Sequence, residues 1–354
     1  MADVSVATVS NVLGARKTVN PLLVARVHAA VETLGYRVDR AAAQLRSGKT
    51  RIIAVLVPAL DNPFFTSIIA AIEQAVQSDG YDIIVASSNN DAGTERRRLA
   101  TLLSWRPAGV VVMPVDDAFA ASDLLEAAEP AFVVVDRLPP RLSADTVSVD
   151  NEQAAILACD HLIALGHRDI LVVASTLRLA NIRKRFSGIR KACRDGGLPD
   201  PKVLEVGLTL EAVALDLADW LAANERPTGI IALTNFTTIG VIASLAQAGI
   251  RIPRDLSLVG FDDYIWMQAA TPSITAIRQP VEQLGLQAWN CLRERIQDGR
   301  QKRKAMRLRC TLQVRGSTSR VPVLPHAPPP VSRPARRVRA PAPAIIIHKQ
   351  NQGT

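Results

Sequence analysis

From Arg51 onward the chain alternates short, uniformly apolar runs with longer stretches whose apolar residues recur at helical spacing. That alternation restricts the fold more than any single motif, because apolar strands each followed by a helix make parallel sheets covered on both faces. Strands are predicted over 52–57, 81–87, 109–115, 131–136, 146–149, 169–174, 203–206, 229–234, 256–261 and 273–277. Helices are predicted over 64–79, 94–105, 121–128, 151–165, 182–195, 211–224, 236–249 and 281–298. Gly80, Gly166 and Gly249 stand where the helices before them stop.

So many strands overfill one open sheet and suit two sheets of about five or six strands each. The predicted fold is α/β, two lobes of doubly wound parallel sheet. Asp150-Asn151 takes the chain from the first lobe to the second, and Pro272 to Pro280 brings it back, so helix 281–298 rejoins the first lobe. The basic run Arg300 to Lys304 leads to a final strand, Met306 to Val314. Lobe 1 is expected over about 51–149 and 276–303, and lobe 2 over about 150–275 and 304–320. Ligands bind beyond the carboxyl ends of such strands, so the cleft between the lobes is the expected site.

Composition excludes several classes. The 354 residues are 48% hydrophobic and 21% charged, enough for a large core. The longest apolar runs, such as Ile52 to Val57 and Gly109 to Pro114, fall well short of the ~18 residues of a membrane span. Met1-Ala2-Asp3 leads directly into Ser/Thr-rich sequence without a signal-peptide pattern, so a cytoplasmic protein with no membrane role is expected. Cys159, Cys193, Cys291 and Cys310 lack metal-ligand or disulfide-framework spacing and are read as reduced thiols. No metal and no cofactor is expected.

The net charge of +9 is unevenly placed. Residues 1–51 carry eight bases against three acids, residues 321–354 carry five bases and no acid, and the body between is close to neutral. A basic head on a neutral body fits a DNA-binding attachment as well as it fits a solvated surface. The Pro-, Ala- and Arg-rich segment 321–354 reads as a disordered basic tail.

In the head, Ser5 caps a helix over 6–13 and Gly14 stops it. Val9, Val12 and Leu13 share one face, while Val6, Ala7 and Asn11 point the other way. Small side chains and an amide at the start of a short helix suit the major groove, with Thr8 and Ser10 available to phosphates. Asn20-Pro21 starts a second helix with the stripe Leu23, Val24, Val27, Ala30, Val31 and Leu34, ended by Gly35. A third short helix, Arg40 to Arg46, places Leu45 beside Arg46 and Lys49, as an apolar wedge for a minor groove requires.

Taken together, Val4-Ser5-Val6-Ala7-Thr8-Val9-Ser10-Asn11-Val12-Leu13, Leu34-Gly35-Tyr36, Leu45-Arg46-Ser47-Gly48-Lys49-Thr50, Gly166-His167-Arg168, Gly260-Phe261-Asp262-Asp263 and Thr271-Pro272-Ser273-Ile274-Thr275 resemble the LacI/GalR family of transcriptional repressors. The match covers roughly residues 3–320, in order and at the family's spacing. The resemblance implies a helix-turn-helix domain over 1–37, a hinge helix and linker over 38–50, and a periplasmic-binding-protein-like core over 51–320 that dimerises and senses a small molecule, often a sugar. It places Val6, Ala7 and Asn11 where the family reads bases and Leu45 where it intercalates. It also places Phe65 where an aromatic stacks on effector, and Arg185, Asn235 and Asp262 where polar groups bond it, with Asp136 and Arg137 close by.

The sequence departs from that family in three places. Only Met1-Ala2-Asp3 precede the recognition helix, so against that resemblance the first helix of the domain is expected to be truncated as the sequence is written. Its loss removes on the order of 5 kcal/mol of burial, and the true start is expected upstream. Val38 replaces the usual proline, and the tail runs past the family's end near Gly316.

The expected function is a repressor, a homodimer on double-stranded operator DNA under control of a small-molecule effector, most simply a carbohydrate. A sensor that no longer binds DNA and a solute-binding protein are the alternatives. Catalysis is not expected, since GxSxG, Walker A, GxGxxG and HExxH are all missing. His161 and His167 fall on different faces around a helix end, and the adjacent pairs Asp116-Asp117 and Asp262-Asp263 point apart.

Overall fold

A computed structural model describes residues 2–13, 18–35, 50–140, 143–299 and 302–321. Gly14, the expected hinge helix with Leu45 and Arg46, and residues 322–354 lie outside the described residues.

The head has two helices, α1 (Val6–Leu13) and α2 (Pro21–Leu34). Ser5 caps α1, its hydroxyl accepting from the Thr8 amide at 3.1 Å. Asn20 caps α2 by accepting from the Leu22 amide at 2.9 Å, Pro21 takes the first helical position, and Gly35 closes the helix at φ +57°. Arg26 joins α2 to Asp3 at 3.1 Å. Val27 is buried, but Leu34, expected in the apolar stripe, is half exposed on the last residue of the helix.

The first lobe contains β1 (Ile52–Val57), α3 (Pro63–Ser78), β2 (Asp82–Ser87), α4 (Ala92–Ser104), β3 (Gly109–Val112), α5 (Ser122–Ala128), β4 (Ala131–Val135) and β5 (Asp145–Val149). The second contains α6 (Asn151–Ala164), β6 (Ile170–Ala174), α7 (Ala180–Asp195), β7 (Lys202–Glu205), α8 (Leu210–Ala223), β8 (Gly229–Ala232), α9 (Asn235–Gln247), β9 (Ser257–Phe261), α10 (Ile265–Ala269) and β10 (Thr275–Arg278). The chain then returns through α11 (Val281–Asp298) and β11 (Ala305–Leu308) and ends on β12 (Thr311–Gln313). The sheet orders are β11-β5-β4-β3-β1-β2, all parallel, and β12-β10-β9-β8-β6-β7, parallel except for β12.

Alternation along the strands explains the two covered faces. In β1, Ile53, Val55 and Val57 pack with Ile68 and Ile72 of α3, while Ala54 and Leu56 meet Leu99 of α4 and Leu125 of α5. In β6, Val172 faces α6 and α7, while Leu171 and Val173 face Val213 of α8 and Val241 of α9. The return of α11 to the first lobe is a close helix contact: a Cβ on Gly285 would lie 2.5 Å from the Ala71 Cβ in α3.

The lobe limits differ from those expected. Residues 276–278 belong to β10, which pairs with β9 in the second sheet, so the chain crosses at Gln279-Pro280. Residues 305–308 pair with β5 in the first sheet, and the predicted strand Met306 to Val314 breaks at Arg309-Cys310 into β11 and β12. That nine-residue run holds no Gly or Pro to mark the crossing. Helix α10 was also not predicted.

Candidate functional site

Loops leaving the carboxyl ends of strands in both lobes meet around a cavity of about 70 Å³. It adjoins a wider one of about 310 Å³, and Asn62, Phe65, Arg137, Leu208 and Phe236 border both. Asn62 caps α3, accepting from the Phe64 amide at 3.0 Å, and Pro63 fixes the first turn. That turn delivers Phe64 and Phe65 edge to face, with centroids 5.3 Å apart.

Asp136 and Arg137 follow β4 directly. Asp136 sits at φ +67°, and burial pushes its carboxyl pKa up against the pull of Arg137. Its Oδ2 accepts from Asn181 Nδ2 of the other lobe at 3.2 Å. Arg137 lies 5.6 Å from the Phe65 ring centre and donates to the carbonyls of Pro114 and Val115. Its Nε is buried, 3.9 Å from Asp136 Oδ2, and makes no hydrogen bond among the described residues, so it is a donor a ligand can satisfy.

Across the cleft, Arg185 of α7 is 3% exposed. Its Nη1 reaches the Leu233 carbonyl at 2.5 Å, which leaves Nη2 without a protein partner among the described residues. Asp262 follows β9 at φ +84° and accepts from the Asn235 amide at 2.8 Å and from Gln279 Nε2. The Gln279 Oε1 is likewise buried and unpaired.

The structure thus brings together Phe65, Asp136, Arg137, Arg185 and Asp262. It does not bring in the Asn235 side chain, whose Oδ1 accepts from Trp266 Nε1 at 3.0 Å; its neighbours Thr234 and Phe236 line the cavity instead. Asn62, Asn181, Phe236 and Gln279 went unpredicted, although each lies close behind a strand end and that position is the available signal. Paired guanidinium donors, carboxylate acceptors and an apolar ring face suit a ligand rich in oxygen functions.

Other candidate chemistry is occupied structurally. The carboxylate of Asp263 is buried against Arg278 at 2.6 Å and Arg315 at 2.5 Å, while Asp262 faces the cavity. His161 bonds Thr318 at 2.9 Å and His167 bonds the Ser319 carbonyl at 3.0 Å, and burial lowers the pKa of both imidazoles. Among the described residues no cluster of His, Cys, Asp or Glu fits a metal ion. None of the described helices is long and apolar enough to cross a membrane.

On α1, Val6 is 83% exposed, Ala7 and Ser10 are exposed, and Asn11 is half-buried. The Thr8 hydroxyl lies 2.9 Å from that of Ser5 within the cap.

Residues 1–39 match the family described as bacterial regulatory proteins, lacI family, and residues 159–318 match a periplasmic binding protein-like domain. The HTH-type transcriptional regulator PtxS of Pseudomonas plecoglossicida is 34% identical over 322 residues, covering 90% of this chain and 93% of that protein. The ribose operon repressor of Haemophilus influenzae is 30% identical and covers 90% of this chain and 96% of that protein. A LacI family transcriptional regulator from Enterococcus faecium, crystallised with bound ribose, aligns at TM-score 0.69 and 26% identity, over 76% of this chain and 99% of that one.

Proposed function

The chain belongs to the lacI family of bacterial regulatory proteins, transcriptional regulators rather than enzymes, and on that premise we propose that it is a cytoplasmic repressor whose affinity for operator DNA is set by a sugar held between its lobes. The observation that carries the reading is the convergence of Phe65, Asp136, Arg137, Arg185 and Asp262 on one cavity bordered by both lobes. A ring face, two guanidinium groups with spare donors and two carboxylates match a polyhydroxylated ligand. The ribose found in the Enterococcus faecium structure makes D-ribose the first sugar to try.

On DNA, Val6, Ala7 and Asn11 read base edges, Ser5, Thr8 and Ser10 contact phosphates, and Leu45 with Arg46 enters the minor groove from the hinge. A homodimer presents two such heads to two half-sites. Sugar and operator are linked, so a ligand that favours one lobe arrangement shifts DNA affinity by about 5- to 150-fold.

The test is differential scanning fluorimetry of the full chain against a panel of pentoses and hexoses, followed by gel shift on the DNA upstream of its own gene. A sugar that raises the melting temperature and also changes operator affinity supports the reading. Stabilisation by no sugar in the panel, or a bound sugar that leaves DNA affinity unchanged, contradicts it.

A further inference from the structure

Helix α7 delivers Asn181 and Arg185 to the cavity, yet its own sequence caps its amino end only in part, through Asn181 Oδ1 accepting from the Ile182 amide at 2.9 Å. Leu179 occupies the cap position and makes no side-chain cap, and the first turn holds no acid. The Ala180 amide, at the first helical position, still needs an acceptor from elsewhere. It comes from the opposite lobe. Asp117, in the loop after β3, accepts from the Ala180 amide at 3.1 Å through Oδ1 and from Arg183 Nη2 at 2.9 Å through Oδ2.

The loop that presents Asp117 is held firmly. Asp116 accepts from the amides of Ala118 at 2.9 Å and Phe119 at 3.1 Å, and Glu95 Oε1 accepts from the Val115 amide at 2.7 Å. Arg137, which borders the cavity, donates to the carbonyls of Pro114 and Val115. One cavity arginine therefore braces the loop whose carboxylate caps the helix carrying the other.

We propose that Asp117 is a positioning residue of the ligand site, capping α7 across the cleft so that lobe closure and the placement of Asn181 and Arg185 are one event. A carboxylate at a helix amino terminus is favoured both by the exposed amides and by the helix dipole. Opening the cleft strips α7 of that cap and separates Asp136 from Asn181. The inference rests on the cavity being the ligand site and does not depend on DNA binding.

Interlobe distance tests it without DNA or natural ligand. Spin labels are placed on the full chain at Glu126→Cys in α5 and Asp216→Cys in α8, both exposed, while the four native cysteines are buried. In pulsed dipolar spectroscopy, Asp117→Ala lengthens and broadens the label distance relative to the parent, and Asp117→Glu partly restores it, with circular dichroism unchanged. Affinity for D-ribose, the binding probe, falls about two- to thirty-fold in Asp117→Ala. If that variant does not fold, Arg183→Ala, which removes the partly exposed partner of Asp117 together with its bonds to the Leu177 and Arg178 carbonyls, shows the same shift at smaller amplitude. Superimposable distance distributions for variant and parent overturn the proposal. A distance shift in a chain that ignores D-ribose removes the sugar assignment and leaves the positioning role standing.

Discussion

Arg185 donates through Nε to the Oδ1 of Asn151 at 2.8 Å, which fixes a cavity cation to the first residue of the helix that opens the second lobe. Its guanidinium also lies 4.5 Å from the centre of the Phe261 ring. With the bond to the Leu233 carbonyl, three restraints hold the group before any ligand arrives, and such preorganisation lowers the entropic cost of binding. Asn151→Ala leaves a buried donor unpaired, so the chain should lose about 1–3 kcal/mol of stability. Sugar affinity should fall by about 3- to 30-fold, read by calorimetric titration. Arg185→Lys should lose more affinity than Asn151→Ala, because an ammonium cannot replace the planar fork.

Phe65 separates stacking from burial. The ring is 2% exposed, so Phe65→Ala opens a cavity and costs about 3–5 kcal/mol. Phe65→Leu keeps most of the packing and should cost under about 1.5 kcal/mol, yet it removes the flat face beside Arg137. A thermal melt close to the parent's, with sugar affinity at least about tenfold weaker, is the expected result for Phe65→Leu.

Stability should fall as pH rises toward neutrality. Burial pushes the Glu95 carboxyl from 4.5 up to about 7, with Asp116 adding to the rise, while the Val115 amide and Arg137 oppose it. The folded state therefore holds a proton the unfolded chain releases, and that stabilisation is complete below pH 4.5 and lost as pH climbs through about 7. The swing is on the order of 2 kcal/mol. Glu95→Gln should flatten this part of the stability profile in urea melts taken between pH 4.5 and 8.

Close packing of α6 on α7 depends on Gly188. A Cβ there would lie 2.3 Å from the Glu152 carbonyl oxygen, a backbone atom that cannot yield alone. Gly188→Ala should cost about 1–3 kcal/mol. Because α7 carries Arg185, sugar affinity should fall with it, as fluorimetry and titration on the same preparation would show.

What was legible in the sequence followed from locality. Caps at Ser5 and Asn20 are decided within three residues, and both hold. Asp136 and Asp262 directly follow long apolar runs, so their place at strand ends needs only the sheet pattern. Asn235 against Phe236 is a different problem, because neighbouring helical residues point about 100° apart and the phase at a helix start depends on its cap. Position behind a strand end was the only signal for Asn181, and the partners that give Asn181 and Asp117 their roles come from the opposite lobe, beyond any local pattern. The crossing at Arg309-Cys310 was hidden by a run with strand character on both sides.

Operator affinity measured with and without sugar, on the full chain and on Arg185→Ala, tests the central claim most directly. Fluorescence anisotropy with labelled DNA from upstream of the gene and with random competitor is the readout. The parent should prefer the upstream fragment by about 10³-fold or more, and the sugar should change that affinity by about 5- to 150-fold. Arg185→Ala should keep the DNA preference and lose the response to sugar. Equal affinity for both DNAs, or a sugar response that survives Arg185→Ala, contradicts the account.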